Sequence, residues 1–103
     1  MKIDFLRRVN IVGASGAGKT TLARDLAAKM GGVATDLDEL HWLPGWKGRP
    51  DEEFDALLDT ILHLDRWVIS GNYSRVQPRI WARAQTVIWL DYSLSVVMKQ
   101  VVQ

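Results

Sequence analysis

The sequence predicts an α/β fold built on a parallel sheet, and three observations predict it. Apolar runs of strand length alternate with amphipathic helical stretches, the pattern of strand–helix–strand units with right-handed crossovers. The strand-length runs are almost wholly apolar, as suits strands covered by helices on both faces. The first of them, Val9-Asn10-Ile11-Val12, empties through a glycine-rich loop into a helix.

The elements follow in order. Residues 1–7 carry no clear pattern, and the first strand spans 8–12. A helix over 18–30 buries Leu22, Leu26 and Met30 at four-residue spacing, with Ala23 and Ala27 beside them, and Gly31-Gly32 stops it. Val33-Ala34-Thr35 is a short second strand carrying Asp36-Leu37-Asp38 off its end. Residues 39–50, rich in Gly, Pro and Trp, form a pocket-shaping loop with a turn at Pro44-Gly45. Asp51 caps a helix to Leu64 whose apolar face is Phe54, Leu57, Leu58, Ile61 and Leu62. Trp67-Val68-Ile69-Ser70 is the third strand, emptying into Gly71-Asn72-Tyr73-Ser74-Arg75. Pro78 opens a short helix to Ala84, and Thr86–Asp91 is a fully buried fourth strand. A last helix runs from Leu94 to Val102.

Composition narrows the function classes. The 103 residues fit one domain, with hydrophobic and charged fractions of 48% and 24%, ordinary for a globular protein. Net charge is +1 and the basic residues are scattered, which argues against nucleic acid or an anionic membrane as partner. There is no cysteine, hence no disulfide framework and no thiolate metal site. No apolar stretch approaches a membrane span, and the first eight residues lack the apolar core of a secretory signal. A soluble, cytoplasmic chain is the expectation.

The chemistry concentrates at Gly13-Ala14-Ser15-Gly16-Ala17-Gly18-Lys19-Thr20-Thr21, which matches G-x-x-x-x-G-K-[ST] between a strand and a helix. In such a P-loop the glycines let backbone N–H groups turn inward onto an anion, aided by the positive end of the helix dipole. Lys19 then reaches the β- and γ-phosphates, and the Thr20 hydroxyl ligates Mg²⁺. An ordinary glycine-rich turn accounts for Gly13 and Gly18 but not for Lys19-Thr20 beside them. The stretch implies a nucleoside-triphosphate site.

With Asp36-x-Asp38-x-x-His41-Trp42-x-Pro44-Gly45-Trp46, Gly71-Asn72-Tyr73-Ser74-Arg75 and Leu90-Asp91, the sequence resembles the adenylate-kinase-like P-loop kinases from about Arg8 onward. The nearest branch is the small bacterial-type adenylate kinases and DNA-topology-modulation kinases. More distantly, the Asp-x-Asp is similar to shikimate and gluconate kinases. The resemblance implies a three-layer core with a parallel sheet of order 2-3-1-4-5 and an acceptor site between strands two and three, here about 36–66. It places the lid, the fifth strand and the adenine-contacting loop beyond Gln103, so the chain is expected to stop before the lid and to show only order 2-3-1-4. The fourth strand's edge would then be bare, inviting self-association. Ser70 stands where many relatives carry an acid that organises the Mg²⁺ shell.

Asp36 and Asp38 leave the carboxyl end of a strand, where ligands bind in open α/β sheets. Asp36 is a candidate for Mg²⁺ water, and Asp38 for an acceptor hydroxyl whose proton it takes; the plain alternative is that Asp38 caps the next turn. The resemblance makes Arg75 the grip on an acceptor phosphate, against an exposed turn arginine. Arg79 and Arg83 share a helix face, in the cleft or in solvent. Trp67 and Trp89 are core, Trp81 packs its helix, and Trp42 and Trp46 are a wall for a ring or a cover on the local core. His41 and His63 are read as structural. Two readings stand. One is an ATP- and Mg²⁺-dependent kinase acting on a nucleoside-monophosphate-type acceptor, or second, a hydroxyl-bearing metabolite. The other is a nucleotide-binding module without turnover.

Overall fold

The computed structural model describes residues 6–13, 18–45, 47–90 and the strand 96–100. Strand β1 (Arg8–Gly13) leads to helix α1 (Lys19–Met30) and strand β2 (Val33–Asp36). Helix α2 (Leu37–His41), the hairpin β3 (Trp42–Leu43) and β4 (Lys47–Gly48), and helix α3 (Asp51–Leu62) follow. Strand β5 (Trp67–Ser70), helix α4 (Gln77–Arg83), β6 (Thr86–Leu90) and β7 (Val96–Gln100) complete the order.

The main sheet has the order β2-β5-β1-β6-β7. Its first four strands are parallel, in the expected relative order, with Val9 level with Val68 and Thr86. A further strand not expected from the sequence, β7, pairs antiparallel with β6 from Thr86↔Gln100 to Leu90↔Val96, and is distinct from the parallel fifth strand that the resemblance puts beyond Gln103. The helix expected over 94–102 is therefore absent over 96–100, and the edge of β6 expected to be bare is paired. Two β-branched valines open this segment, residues that suit a strand. Five residues separate Leu90 from Val96, too few for a parallel crossover but ample for an antiparallel return. Asp91, the expected end of the fourth strand, lies outside the described residues, as does Trp46.

Side chains alternate across the sheet to build a core on each face. Val9, Ile11, Val68 and Ile88 meet α1 through Ala23, Ala27 and Met30. The opposite face carries Trp67 and Ile69 against Phe54, Leu58 and Leu62 of α3 and Val76, Ile80 and Ala84 around α4. Small residues line the centre of the α1 contact, so Leu22 and Leu26, expected in the core, are half-buried at its margin. On α3 the four-residue spacing of Phe54, Leu58 and Leu62 points at the sheet and turns Leu57 outward, 38% exposed. Pro50, not Asp51, occupies the α3 cap; Asp51, Glu52 and Glu53 fill its first turn, where carboxylates favour the helix dipole. Buried Asn10 is satisfied by donating to the Ile69 carbonyl at 2.9 Å and accepting from Trp81 Nε1 at 3.0 Å. Trp67 is fully buried as expected, whereas Trp89 is half-buried, edge-on to Trp81.

The stretch expected as a loop over 39–50 holds the last turn of α2, which starts at Leu37, and the small hairpin, turned at Pro44-Gly45. Arg49 secures it, donating its backbone N–H to His41 O and its Nε to Leu40 O, each at 2.7 Å. No helix among the described residues is long and apolar enough to cross a membrane.

Candidate functional site

The parallel strands end together: Asp36 of β2 lies level with Ser70 of β5, and Gly13 of β1 with Leu90 of β6. The start of α1 and the ends of β2 and β5 border one cleft, the usual ligand position in an open parallel sheet. At Gly13 the backbone has φ 133°, and an added Cβ would lie 1.9 Å from the Leu90 carbonyl oxygen. Glycine is demanded there by the approach of β6. Gly18 takes a left-handed conformation, φ 83°, at the N-cap of α1, with no side-chain cap and no acid in the first turn. Lys19 reaches back to donate to the Gly13 carbonyl at 3.1 Å, across the mouth of the loop. Ala14, Ser15, Gly16 and Ala17 lie outside the described residues.

A cavity of about 270 Å³ opens in front of this helix, lined by Gly18, Lys19, Thr20, Thr21, Asp36, Asp38, Ser70 and Gly71. The structure thus brings together Lys19, Thr20, Thr21 and both aspartates of the Asp-x-Asp. Thr20 Oγ1 donates to Asp36 Oδ2 at 2.8 Å, while Asp36 Oδ1 accepts the Asp38 N–H at 2.8 Å and caps α2. The cap assigned to Asp38 as its plain alternative therefore belongs to Asp36. Asp38 Oδ1 accepts the Tyr73 hydroxyl at 2.9 Å. Burial, then the hydrogen bond and charge of Asp38 and the charge of Asp36, push the Tyr73 phenol up to about 12. Ser70 is 2% exposed, and its buried Oγ has no hydrogen-bond partner among the described residues, although the residue lines the cavity beside Asp36.

No protein-family model, no curated protein and no solved structure matches this chain.

Arg75 does not line the cavity. Its guanidinium pairs with Asp55 at 3.0 Å and Asp51 at 3.5 Å on α3 and lies 5.5 Å over the Phe54 ring. Arg79 joins the same network through Asp55 and Asp59, and Arg83 donates to the Leu62 carbonyl. These three arginines bind α4 and the turn before it to α3. His41 sits among rings, 5.6 Å from Tyr73, 6.3 Å from Phe54 and 4.7 Å from Trp42. Among the described residues, no group of three or more His, Cys, Asp or Glu is arranged to hold a metal.

Sequence reasoning assigned no role to two residues that shape the cleft. Asn72 accepts from the Gly13 N–H at 3.1 Å and donates to the Gly13 carbonyl at 2.6 Å, fastening the end of β1 to the segment after β5. Tyr73 donates its hydroxyl to Asp38 Oδ1 at 2.9 Å. Both lie in the Gly71–Arg75 stretch, but their partners are 59 and 35 residues away, beyond the reach of a local pattern.

Proposed function

We propose that this chain is an ATP-dependent phosphotransferase acting on a small molecule, with the phosphates held at the β1–α1 junction. One observation carries the reading: Lys19, Thr20, Asp36 and Asp38, drawn from three elements, line one cavity at the start of α1. An uncapped helix N-terminus favours an anion, because its N–H groups lack intrahelical partners and sit at the positive end of the dipole. Lys19, already turned across the loop, is placed to exchange the Gly13 carbonyl for phosphate oxygens. The sequence pattern assigns the remaining cradle to residues 14–17.

The oxygen groups of Thr20 and Asp36 fit a hard cation that keeps most of its ligands as water and phosphate. Thr20 and Asp36 would hold it. Magnesium bound there neutralises charge on the β- and γ-phosphates. Asp36 is well suited to that task, since the α2 cap and the Thr20 bond together set its carboxylate before any ligand arrives.

The resemblance puts a nucleoside monophosphate first as acceptor, with Arg75 on its phosphate. The ion pairs of Arg75 with Asp51 and Asp55 weigh against that role, and the position of Asp38 in the cavity favours the second acceptor class, a hydroxyl. The test is ADP production from ATP and Mg²⁺, with and without acceptors, in the chain and in Lys19→Ala. Acceptor-stimulated turnover that disappears in the variant supports a kinase. Lys19-dependent ATP binding without turnover instead leaves a nucleotide-binding module.

A further inference from the structure

We infer that the amino-terminal edge of the main sheet is a docking surface for an anionic phospholipid membrane. This edge lies at the other end of the strands from the cleft, the length of β1 away, roughly 16 Å. Such docking leaves the cleft open to solvent and is independent of the phosphotransferase reading above.

Charge is the first ground. Val33, Trp67 and Arg8 stand level at the starts of β2, β5 and β1, and Val9 stands level with Thr86 at the start of β6. The segments entering these strands bring Lys29, Arg66, Arg7, Arg8 and Arg83 to one edge. Over the whole chain 13 basic residues offset 12 acids, and in sequence order these cations look scattered. Among the described residues, the acid in the same segments is Asp65, which Arg7 and Arg66 share at 3.0 and 3.8 Å. Asp25 and Asp59 stand about a turn back along α1 and α3, and Asp59 is paired with Arg79. The edge is therefore strongly positive.

A structural duty accounts for part of this cluster. Helices α1, α3 and α4 all end here, and the carbonyls of their last residues, Met30, Leu62 and Arg83, accept from Arg66, Arg83 and Arg8 respectively. Cations suit helix C-termini. Capping does not use up the guanidinium, however. Arg83 and Arg8 donate through Nε, so their terminal nitrogens have no partner among the described residues. Pinned at Nε, each fork loses little freedom on taking phosphate oxygens. Lys29 is exposed and makes no ion pair among the described residues.

The apolar residues at this edge select the partner. Val33, 48% exposed, donates its N–H to the Arg66 carbonyl at 3.3 Å, and Leu64, 38% exposed, precedes Asp65 in the turn before β5. Single-stranded nucleic acid is gripped by exposed aromatic rings, and a duplex by a helix or ribbon that enters its groove. Here the exposed apolar side chains are aliphatic and sit on short turns, while Trp67 beside them is fully buried. Basic groups at the headgroups, with aliphatic side chains dipping to the acyl boundary, suit an interfacial membrane contact. Clusters of roughly four to eight Lys and Arg are of the size that binds an anionic leaflet.

The experiment sediments the full chain with vesicles of phosphatidylcholine, alone or with about 30% phosphatidylserine. The variants are Lys29→Gln, the triple change Arg7→Gln, Arg8→Gln and Lys29→Gln, the pair Val33→Ser and Leu64→Ser, and Arg24→Gln as a control away from this edge. Urea midpoints check folding; if the triple variant does not fold, Lys29→Gln carries the test. The expected result is binding that requires phosphatidylserine and weakens steeply between about 0.05 and 0.5 M salt. Each lost cation lowers it about fivefold, so Lys29→Gln falls about fivefold and the triple variant about 100-fold. The Val33–Leu64 pair lowers it severalfold, and Arg24→Gln leaves it unchanged. Equal binding to both kinds of vesicle, equal losses in Lys29→Gln and Arg24→Gln, or a Val33–Leu64 pair without effect overturns the inference. Fluorescence anisotropy with single-stranded and duplex oligonucleotides and with polyglutamate completes the test. Binding to any of these that is tighter than to vesicles at the same salt, and falls in Lys29→Gln, assigns the edge to nucleic acid or an acidic protein and overturns the membrane.

Discussion

The Thr20 hydroxyl and one carboxylate oxygen of Asp36 are 2.8 Å apart, and the other oxygen of that carboxylate receives the Asp38 N–H at the same distance. A single side chain thus joins the first turn of α1, the end of β2 and the start of α2. A double-mutant cycle on Thr20→Val and Asp36→Ala should return a coupling of about 1.5 kcal/mol, the low end of the worth of a hydrogen bond to a charged acceptor. Asp36→Ala alone should be the costlier single change, about 2 kcal/mol, because it also removes the α2 cap. Urea unfolding of the four proteins measures both. Additive effects would mean that the two groups do not interact.

Two glycines of the same loop should behave differently. Gly13→Ala sets a Cβ against the Leu90 carbonyl at 1.9 Å and should cost about 3 kcal/mol or more, since strand backbones must move apart. Gly18→Ala meets nothing within 4 Å among the described residues and should cost only the left-handed backbone strain, about 1 kcal/mol. Their urea midpoints should therefore separate clearly, with Gly13→Ala far lower.

Asn72 grips Gly13 through both its amide atoms, which makes its replacement diagnostic. Asn72→Asp keeps the acceptor but replaces the donor facing the Gly13 carbonyl with an oxygen, so it should destabilise more than Asn72→Ala, by about 1 kcal/mol. On the proposed function, both variants should also weaken ATP·Mg²⁺ binding, because the loop that carries the phosphates starts at Gly13. Unfolding curves and calorimetry check the two parts separately.

Tyr73 fixes an alkaline limit. Its phenol is raised from the ordinary value of about 10 to about 12 in the folded chain. The unfolded chain thus loses the proton first, and the stabilisation from this group is complete below pH 10 and lost as pH rises to about 12. Relative to Tyr73→Phe, the wild-type chain should lose stability across that window and no part of it near neutrality. Ultraviolet titration at the phenolate band should show one tyrosine ionising late.

Much of the architecture was legible because its causes are local. Strand-length apolar runs, the four-residue spacing of Phe54, Leu58 and Leu62, and the glycine stop after Met30 act within one or two turns of chain. The four parallel strands and their separating helices followed from these signals. The cap on α3 and the burial of Leu57 were misread for separate reasons. The cap lies one residue earlier because the backbone at Pro50, not a side chain, sets the helix start. The burial of Leu57 depends on how the helix is rotated against the sheet, and several rotations share nearly the same apolar stripe.

The end of the chain shows where local signals fail. Val96–Gln100 can be drawn as helix or strand, and pairing with β6 decides between them, because a strand's hydrogen bonds need a partner that the segment itself cannot supply.

By itself the sequence determined the alternation of strands and helices, the glycine-lysine-threonine junction, and the two aspartates at a strand's end. Only the tertiary structure decided that Arg75 turns to α3, that Asn72 clasps Gly13, and that the Tyr73 hydroxyl bonds Asp38. The physical reason is range. Propensity and periodicity act over a few residues, whereas these contacts join segments 20 to 59 positions apart, which meet only once the sheet register is set.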